Sequence, residues 1–362
     1  MNSIQSLIEL IHTSGRPFVI AVTGGGSGAI SSLLEVPGAS ASVLEAIVPY
    51  AATSLADWLG GMPDHYCSER TARAMAMAAF ERACLLSNAD ARTLLGIGAT
   101  ASLASNRQKR GAHRIHIAWQ SADMSVVSSY LFPRESTRVE EEPLATELIL
   151  AAVAEGCAIE RTAAMAANDR REQRAPAEWT DLLLGQRQSV SIHSAKLNVL
   201  FPGAFNPLHR GHQRMADVAA ERLGEPVTFE LSIANVAKPT LDFIEIAERL
   251  SQFQNQPVLL TRAATFLEKA SIAPGCVFVV GVDTLERIGD DRFYAAMPAL
   301  RDDAIGVIAT AGCRFLVFGR AMGSRFYGMS DFDIPPALRA LCDEVPESDF
   351  REDVSSTELR GA

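Results

Sequence analysis

Leu200-Phe201-Pro202-Gly203-Ala204-Phe205-Asn206-Pro207-Leu208-His209-Arg210-Gly211-His212 is the stretch from which the rest of the chain is read. The apolar run 199–201 is strand-like, Pro202 and Gly203 break it, and a helical pattern follows. The segment therefore reads as strand, tight loop and helix. His209 and His212 lie three apart at the helix start, a spacing that lets both face the same way. Gly211 removes a side chain between them, where a flat ligand can lie close to backbone. Amides at a helix start favour anionic oxygens, and two imidazoles add donors there. The spacing alone also fits a plainer arrangement, a cap beside a surface histidine.

The 362 residues suffice for two domains with ordinary cores. With 48% apolar and 21% charged residues, the chain reads as globular rather than disordered. A formal net charge of −10 argues against nucleic acid or anionic lipid as a partner. It leaves room for a nucleotide site, because a few local donors can hold phosphates. Cys67, Cys84, Cys157, Cys276, Cys313 and Cys342 are scattered, without Cys-x-x-Cys or zinc spacing. No protein-held metal is expected, and buried thiols in a reducing compartment are the default. The N-terminus lacks a basic region followed by a long apolar core, and no stretch approaches the roughly 18 uncharged apolar residues of a membrane span. A cytoplasmic location is the simplest expectation.

Two motifs carry a family resemblance. Phe205-Asn206-Pro207-Leu208-His209-Arg210-Gly211-His212 closely resembles the His-x-Gly-His signature of the cytidylyltransferase-like nucleotidyltransferases, especially the nicotinate and nicotinamide mononucleotide adenylyltransferases. Downstream, Val354-Ser355-Ser356-Thr357-Glu358-Leu359-Arg360 resembles that family's Ile-Ser-Ser-Thr-x-x-Arg motif. The resemblance implies that His209, His212 and Arg360 are the catalytic groups, with the histidines on the triphosphate. It further implies that Gly203, Ala204, Phe205, Asn206 and Gly211 shape the nucleotide loop. Lys238 would lie near the phosphate path, Gly281 and Asp283 would border the nucleotide, and Ser355, Ser356 and Thr357 would contact terminal phosphates. Magnesium is implied as the companion of ATP. From the residues alone, Lys238 also fits a solvated turn, Asp283 an N-cap, and Ser355-Ser356-Thr357 a generic cap. Only two residues follow Arg360, so a ligand or another subunit is expected to order it.

Around these motifs, strand patterns at 226–233, 258–261, 276–281 and 315–318 alternate with helical stretches at 243–253 and 263–270. Such alternation implies a Rossmann-like, mostly parallel sheet with right-handed crossovers. Ligands in such sheets lie beyond the strand carboxyl ends, where the His209 loop, Lys238, Asp283 and Ser355 are expected to converge.

The first half is also α/β. Ile4, Leu7, Ile8 and Ile11 mark a short helix, 18–22 a strand, and 29–34 a helix. Between the last two, Thr23-Gly24-Gly25-Gly26-Ser27-Gly28 has the layout of an anion-binding loop, or of a tight turn that lets strand and helix pack. A long Ala- and Met-rich helix runs over 71–86, with Ser68 as N-cap and Arg73, Glu81 and Arg82 reaching water. Met75 and Met77 read as adaptable packing. Strands at 94–99, 115–119 and 124–131 precede a helix at 146–157.

Gly26-Ser27, Glu35-Val36-Pro37-Gly38-Ala39-Ser40, Pro49-Tyr50 and Cys67-Ser68-Glu69 together resemble the C-terminal domain of the competence-damage-inducible proteins, whose active members are nicotinamide mononucleotide amidohydrolases. The resemblance spans roughly residues 5–165 and places the chain's amidase-type site at Thr23, Gly24, Gly25, Gly26, Ser27, Tyr50 and Leu55. Thr23 falls where active relatives carry the nucleophilic serine, and Leu55 where their lysine is expected. A leucine neither accepts a proton nor stabilises an alkoxide, so a degenerate amidase fold is expected. The Gly24–Ser27 amides are still expected to be able to hold a phosphate.

The domain layout expected is 1–166 amidohydrolase-like, 167–194 a linker docked through Trp179 and its leucines, and 195–362 nucleotidyltransferase. The Arg170-Arg171 cluster reads as a solvated linker face or a phosphate contact. The expected activity is magnesium-dependent adenylyl transfer from ATP to nicotinamide or nicotinate mononucleotide, with release of pyrophosphate. Another donor or phosphorylated acceptor, or a non-catalytic nucleotide-binding sensor or scaffold, stays open. A homo-oligomer formed through the first domain is expected.

Overall fold

The computed structural model describes residues 3–106, 111–160, 165–236, 238–322 and 325–351. They pack as two units. The described residues of Met1–Leu184 and Ala237–Ala247 form the first, and those of Gly185–Val236 and Glu248–Ala362 form the second.

In the first unit, β1 (Phe18–Thr23), β2 (Val43–Ile47), β3 (Leu95–Ser102), β4 (Arg114–Gln120), β5 (Met124–Leu131) and β6 (Asp169–Arg174) form one sheet in the order β2-β1-β3-β4-β5-β6. β1 pairs in parallel with β2 and β3, and the remaining neighbours are antiparallel. Every residue of β1 is buried, as its unbroken apolar run requires for a central strand. Helices Ser3–Thr13, Gly28–Glu35 and Arg138–Gly156 supply Leu7, Ile11, Leu33, Leu148 and Ile149 to the core beside β1, β3 and β4.

Helix Glu69–Leu86 lies with its backbone almost on β3. A Cβ added at Gly96 would meet the Ala76 carbonyl oxygen at 2.1 Å, and one at Gly98 the Ala72 carbonyl oxygen at 2.4 Å. The glycines of Gly96-Ile97-Gly98 and the alanines at 72, 76, 79 and 83 are thus one packing solution, small residues on both surfaces. Ser68 caps this helix as expected, accepting from the Thr71 N–H at 3.2 Å. Arg73 departs from expectation. It is buried, not solvated, and donates to both carboxylate oxygens of Asp242, at 2.7 and 2.8 Å, and to Glu245 at 3.3 Å. Phe243 adds a backbone N–H to Ser125 Oγ at 2.9 Å. A charge inside the unit is tolerable because two carboxylates meet it there.

The stretch 167–194 is more structured than a docked linker. β6 is an edge strand of mixed charges, with Arg170 on Glu155 at 2.6 Å and Arg171 on Glu69 at 3.7 Å. Charged edge residues discourage further strand pairing. Helix Ala177–Leu183 follows and buries Leu182 and Leu183.

The second unit contains β7 (Ser189–Ile192), β8 (Val199–Pro202), β9 (Thr228–Ser232), β10 (Val258–Thr261), β11 (Val277–Gly281), β12 (Arg314–Phe318), a hairpin of β13 (Arg320–Met322) and β14 (Arg325–Tyr327), and β15 (Cys342–Val345). The main sheet runs β15-β12-β11-β8-β9-β10-β7. All its pairings are parallel except β10 with β7. From β10 to β15, the parallel strands have the 3-2-1-4-5-6 order of a doubly wound Rossmann-type sheet. The order reverses between β8 and β11, so the loops leaving these two strands flank the topological switch point.

Candidate nucleotide site

The loop after β8 is built around Phe205. This residue is buried with φ +45°, in a left-handed conformation that a bulky side chain adopts only when its surroundings hold it there. The surroundings are aromatic. Phe201, Phe229 and Phe253 stand edge-on to the Phe205 ring at centroid distances of 5.5, 5.3 and 5.3 Å. The same ring explains Gly203, since a Cβ there would lie 2.5 Å from it. The Gly203 N–H donates to the Glu230 carbonyl at 3.0 Å, extending the strand pairing into the turn. Ala204 is exposed, and Asn206 precedes Pro207 through a cis peptide.

Helix Arg210–Leu223 begins directly after this loop, with His209 as N-cap and Gly211 buried in the first turn. The two imidazoles stack, with centroids 3.7 Å apart and planes 25° from parallel. The His209 backbone N–H donates to His212 Nδ1 at 3.3 Å. A neutral His212 therefore carries its proton on Nε2 and keeps an N–H donor. The His212 ring also meets Phe205 at 5.1 Å and Phe201 at 6.0 Å. Burial first, and then the neighbouring His209, lowers its pKa to about 4. His212 is thus neutral near pH 7. The pair does face together, as its spacing implies, and is knitted into the aromatic core more closely than a surface cap would be.

Across the switch point, Gly281 is the N-cap of helix Val282–Gly289, and Asp283 sits in its first turn. Asp283 forms an ion pair with Arg320 at the start of β13. The capping position belongs to Gly281, while an acidic side chain in the first turn suits the positive end of the helix. Lys238 belongs to the first unit. It is exposed in the segment that packs with the first unit, where its Cε lies 3.7 Å from a Cβ built on Gly61. Ser355, Ser356, Thr357 and Arg360 lie outside the described residues.

Sequence reading missed the residues that hold the loop from behind. Arg249 Nη1 donates to the Ala204 carbonyl at 3.0 Å, and Gln252 bridges Phe205 and Leu208. Arg249 is a basic residue in the last turn of helix Phe243–Ser251, a signal with no specificity of its own, and nothing local in the sequence marks Gln252.

In the first unit, the Thr23 hydroxyl donates to the Pro49 carbonyl at 3.0 Å, and Tyr50 is exposed. Leu55 is buried beside Ala21, Leu59 and Met75, an apolar pocket in which a lysine would be costly. Gly24 and Gly26 have φ of +80° and +81°, and a Cβ on Gly25 would lie 2.4 Å from Leu103. Against the expectation of an open phosphate cradle, the Gly26 and Ser27 amides already donate to Glu142 Oε1, at 2.7 and 3.2 Å. Arg138 pairs with the other oxygen of Glu142 at 3.0 Å. An internal carboxylate thus occupies the position an external anion would need.

All six cysteines are free thiols, three of them buried. No helix among the described residues is long and apolar enough to cross a membrane.

Comparison with known proteins finds a match for the second half of the chain. Residues 200–362 match the family described as Cytidylyltransferase-like. Among solved structures, the chain is similar to a competence/damage inducible protein from Agrobacterium tumefaciens, with 21% identity over 44% of this chain and 93% of that one and a TM-score of 0.32. It is also similar to a competence-damaged protein superfamily member from Escherichia coli, with 18% identity over 42% and 88% of the two chains and a TM-score of 0.34. A competence damage-inducible protein from Klebsiella pneumoniae is 17% identical over 44% and 100%, with a TM-score of 0.35. No curated protein matches the chain.

Proposed function

We propose that the cytidylyltransferase-like domain of residues 200–362 transfers the adenylyl group of ATP to nicotinamide or nicotinate mononucleotide, releasing pyrophosphate. The observation that carries the reading is the stacked His209–His212 pair at a helix start, at the switch point of a 3-2-1-4-5-6 parallel sheet. Nucleotidyl transfer in general follows from the family. ATP as donor and the mononucleotide as acceptor are our assignment, resting on the His-x-Gly-His wording and on the amidase-type landmarks of the first half.

In this reaction a phosphate oxygen of the acceptor attacks the α-phosphorus of ATP. The new P–O bond forms as the bond to pyrophosphate breaks, and the electron pair leaves with pyrophosphate. The attacking group is already anionic, so the protein's task is to hold the phosphates and stabilise charge moving onto the leaving group. His212 Nε2–H, His209 and the helix start supply donors, and the rigid Phe205 turn fixes their geometry. Magnesium enters with the nucleotide, as part of the substrate. Arg360, Ser356 and Thr357 are proposed to complete the phosphate contacts. For the first unit we propose a degenerate amidase fold, supported by the committed Thr23 hydroxyl, the buried Leu55 and Glu142 on the loop amides.

The test is incubation of the full chain with ATP or CTP, magnesium and candidate mononucleotides, reading pyrophosphate and product mass. A dinucleotide formed from ATP supports the proposal, and no product across all donor and acceptor pairs removes it.

A further inference from the structure

We infer that Gln252, with Arg249, is a positioning residue for the donor's phosphates, acting through the backbone of the nucleotide loop; the inference rests on the transfer reading above. Gln252 uses both ends of its carboxamide on that loop. Its Oε1 accepts from the Leu208 N–H at 2.7 Å, and its Nε2 donates to the Phe205 carbonyl at 3.1 Å. These two backbone groups bracket Asn206 and Pro207, and Phe205 is the residue held at positive φ. Arg249, almost fully buried, donates to the carbonyl of Ala204. Four residues further on, past the helix end at Ser251, Gln256 and Gln213 exchange reciprocal amide hydrogen bonds of 2.7 and 3.3 Å, fastening the histidine helix to the same segment. Phe253 fills the space between, 5.3 Å from Phe205 and 5.1 Å from Phe229.

The segment 249–256 therefore grips the loop at Ala204, Phe205 and Leu208 and the histidine helix at Gln213. Releasing the Gln252 grip leaves a donor and an acceptor without partners and frees a strained turn to relax, which moves the donors aimed at the phosphates. Because the inference assigns this loop to the donor's phosphates, it requires the effect to fall on ATP rather than on the mononucleotide.

The experiment compares full-length wild type, Gln252→Leu and Gln252→Glu below their melting temperatures. Hydrogen exchange of the 204–209 amides is followed beside steady-state kinetics. In Gln252→Leu the Leu208 amide exchanges faster, and kcat/KM for ATP falls about tenfold or more, with KM for the mononucleotide unchanged. Gln252→Glu, when ionised, still accepts from Leu208 but cannot donate to Phe205, and when protonated it does both. Its activity relative to wild type therefore climbs as pH falls through the carboxyl's titration, a recovery that a purely structural role does not give. Wild-type kcat/KM for ATP in Gln252→Leu overturns the inference, as does a loss shared equally by both substrates. If wild type itself forms no pyrophosphate, the transfer reading fails. The exchange rate of Leu208 then judges the grip alone: unchanged exchange in Gln252→Leu overturns it, and faster exchange upholds it.

Discussion

Acidification should loosen the second unit through His212. Burial against Phe201 and Phe205, with His209 stacked on it, lowers the imidazole pKa from 6.5 to about 4. Between those values the unfolded chain takes up a proton that the folded unit refuses, so stability rises with pH across the window. The contribution is complete above about pH 6.5 and is lost as pH falls towards 4. At about 1.4 kcal/mol per pH unit, the gap corresponds to about 3 kcal/mol. Trp58, Trp119 and Trp179, the only tryptophans, all belong to the first unit, so indole fluorescence is not a direct probe of the second. The assay is therefore NMR titration of the His212 ring together with amide exchange in β8, β9 and β11. His212→Asn offers a carbonyl acceptor to the His209 N–H but does not titrate, so it isolates the effect from other ionisations. Between pH 7.5 and 4, wild type should lose about 3 kcal/mol more opening free energy than His212→Asn. Equal pH dependence in the two proteins, or a ring titrating near 6.5, would refute the reasoning.

Three further outcomes are expected. His209→Ala should weaken transition-state stabilisation by about 2–4 kcal/mol, seen in kcat/KM, with a much smaller change in amide protection of the second unit; a parallel loss of both would indicate a structural cap. Arg73→Met should destabilise the first unit by about 3–5 kcal/mol by taking the buried cation from Asp242, while Glu245 keeps Arg70 at 3.3 Å, and adding Asp242→Asn should recover most of it. Tryptophan-detected denaturation reads this directly, and an unaffected Arg73→Met would mean that the buried cation is dispensable. The full chain should release no ammonia from nicotinamide mononucleotide above a buffer blank; ammonia abolished by Thr23→Ala would show that the threonine is activated without a lysine at position 55.

The features legible in the sequence are the ones encoded locally. Val199 to His212 carries its strand, turn and helix start within fourteen residues, and the switch-point sheet follows from apolar runs spaced by helices. The long helix over β3 was legible from its cap and alanines, although the reason for Gly96 and Gly98 emerges only when the helix backbone is seen lying on them. What stayed hidden depends on residues far apart in the chain. Arg73 looks solvent-facing until Asp242 and Glu245 arrive from some 170 positions away. Glu142 reads as one more acidic residue at a helix start, yet it occupies amides 116 positions earlier. β6 is hidden because its residues are polar on both faces, so the strand carries no apolar period. Lys238, which the family resemblance puts near the phosphate path, lies in a segment that packs with the first unit, and nothing local in the sequence marks that segment's membership.

The central claim is transfer at the α-phosphorus, and ATP labelled separately at its α- and γ-phosphorus tests it most directly. With the full chain, magnesium and nicotinamide or nicotinate mononucleotide, the α-label should appear in the dinucleotide and the γ-label in pyrophosphate. A γ-label carried into the acceptor, or both labels remaining in ATP and its hydrolysis products, would contradict the account.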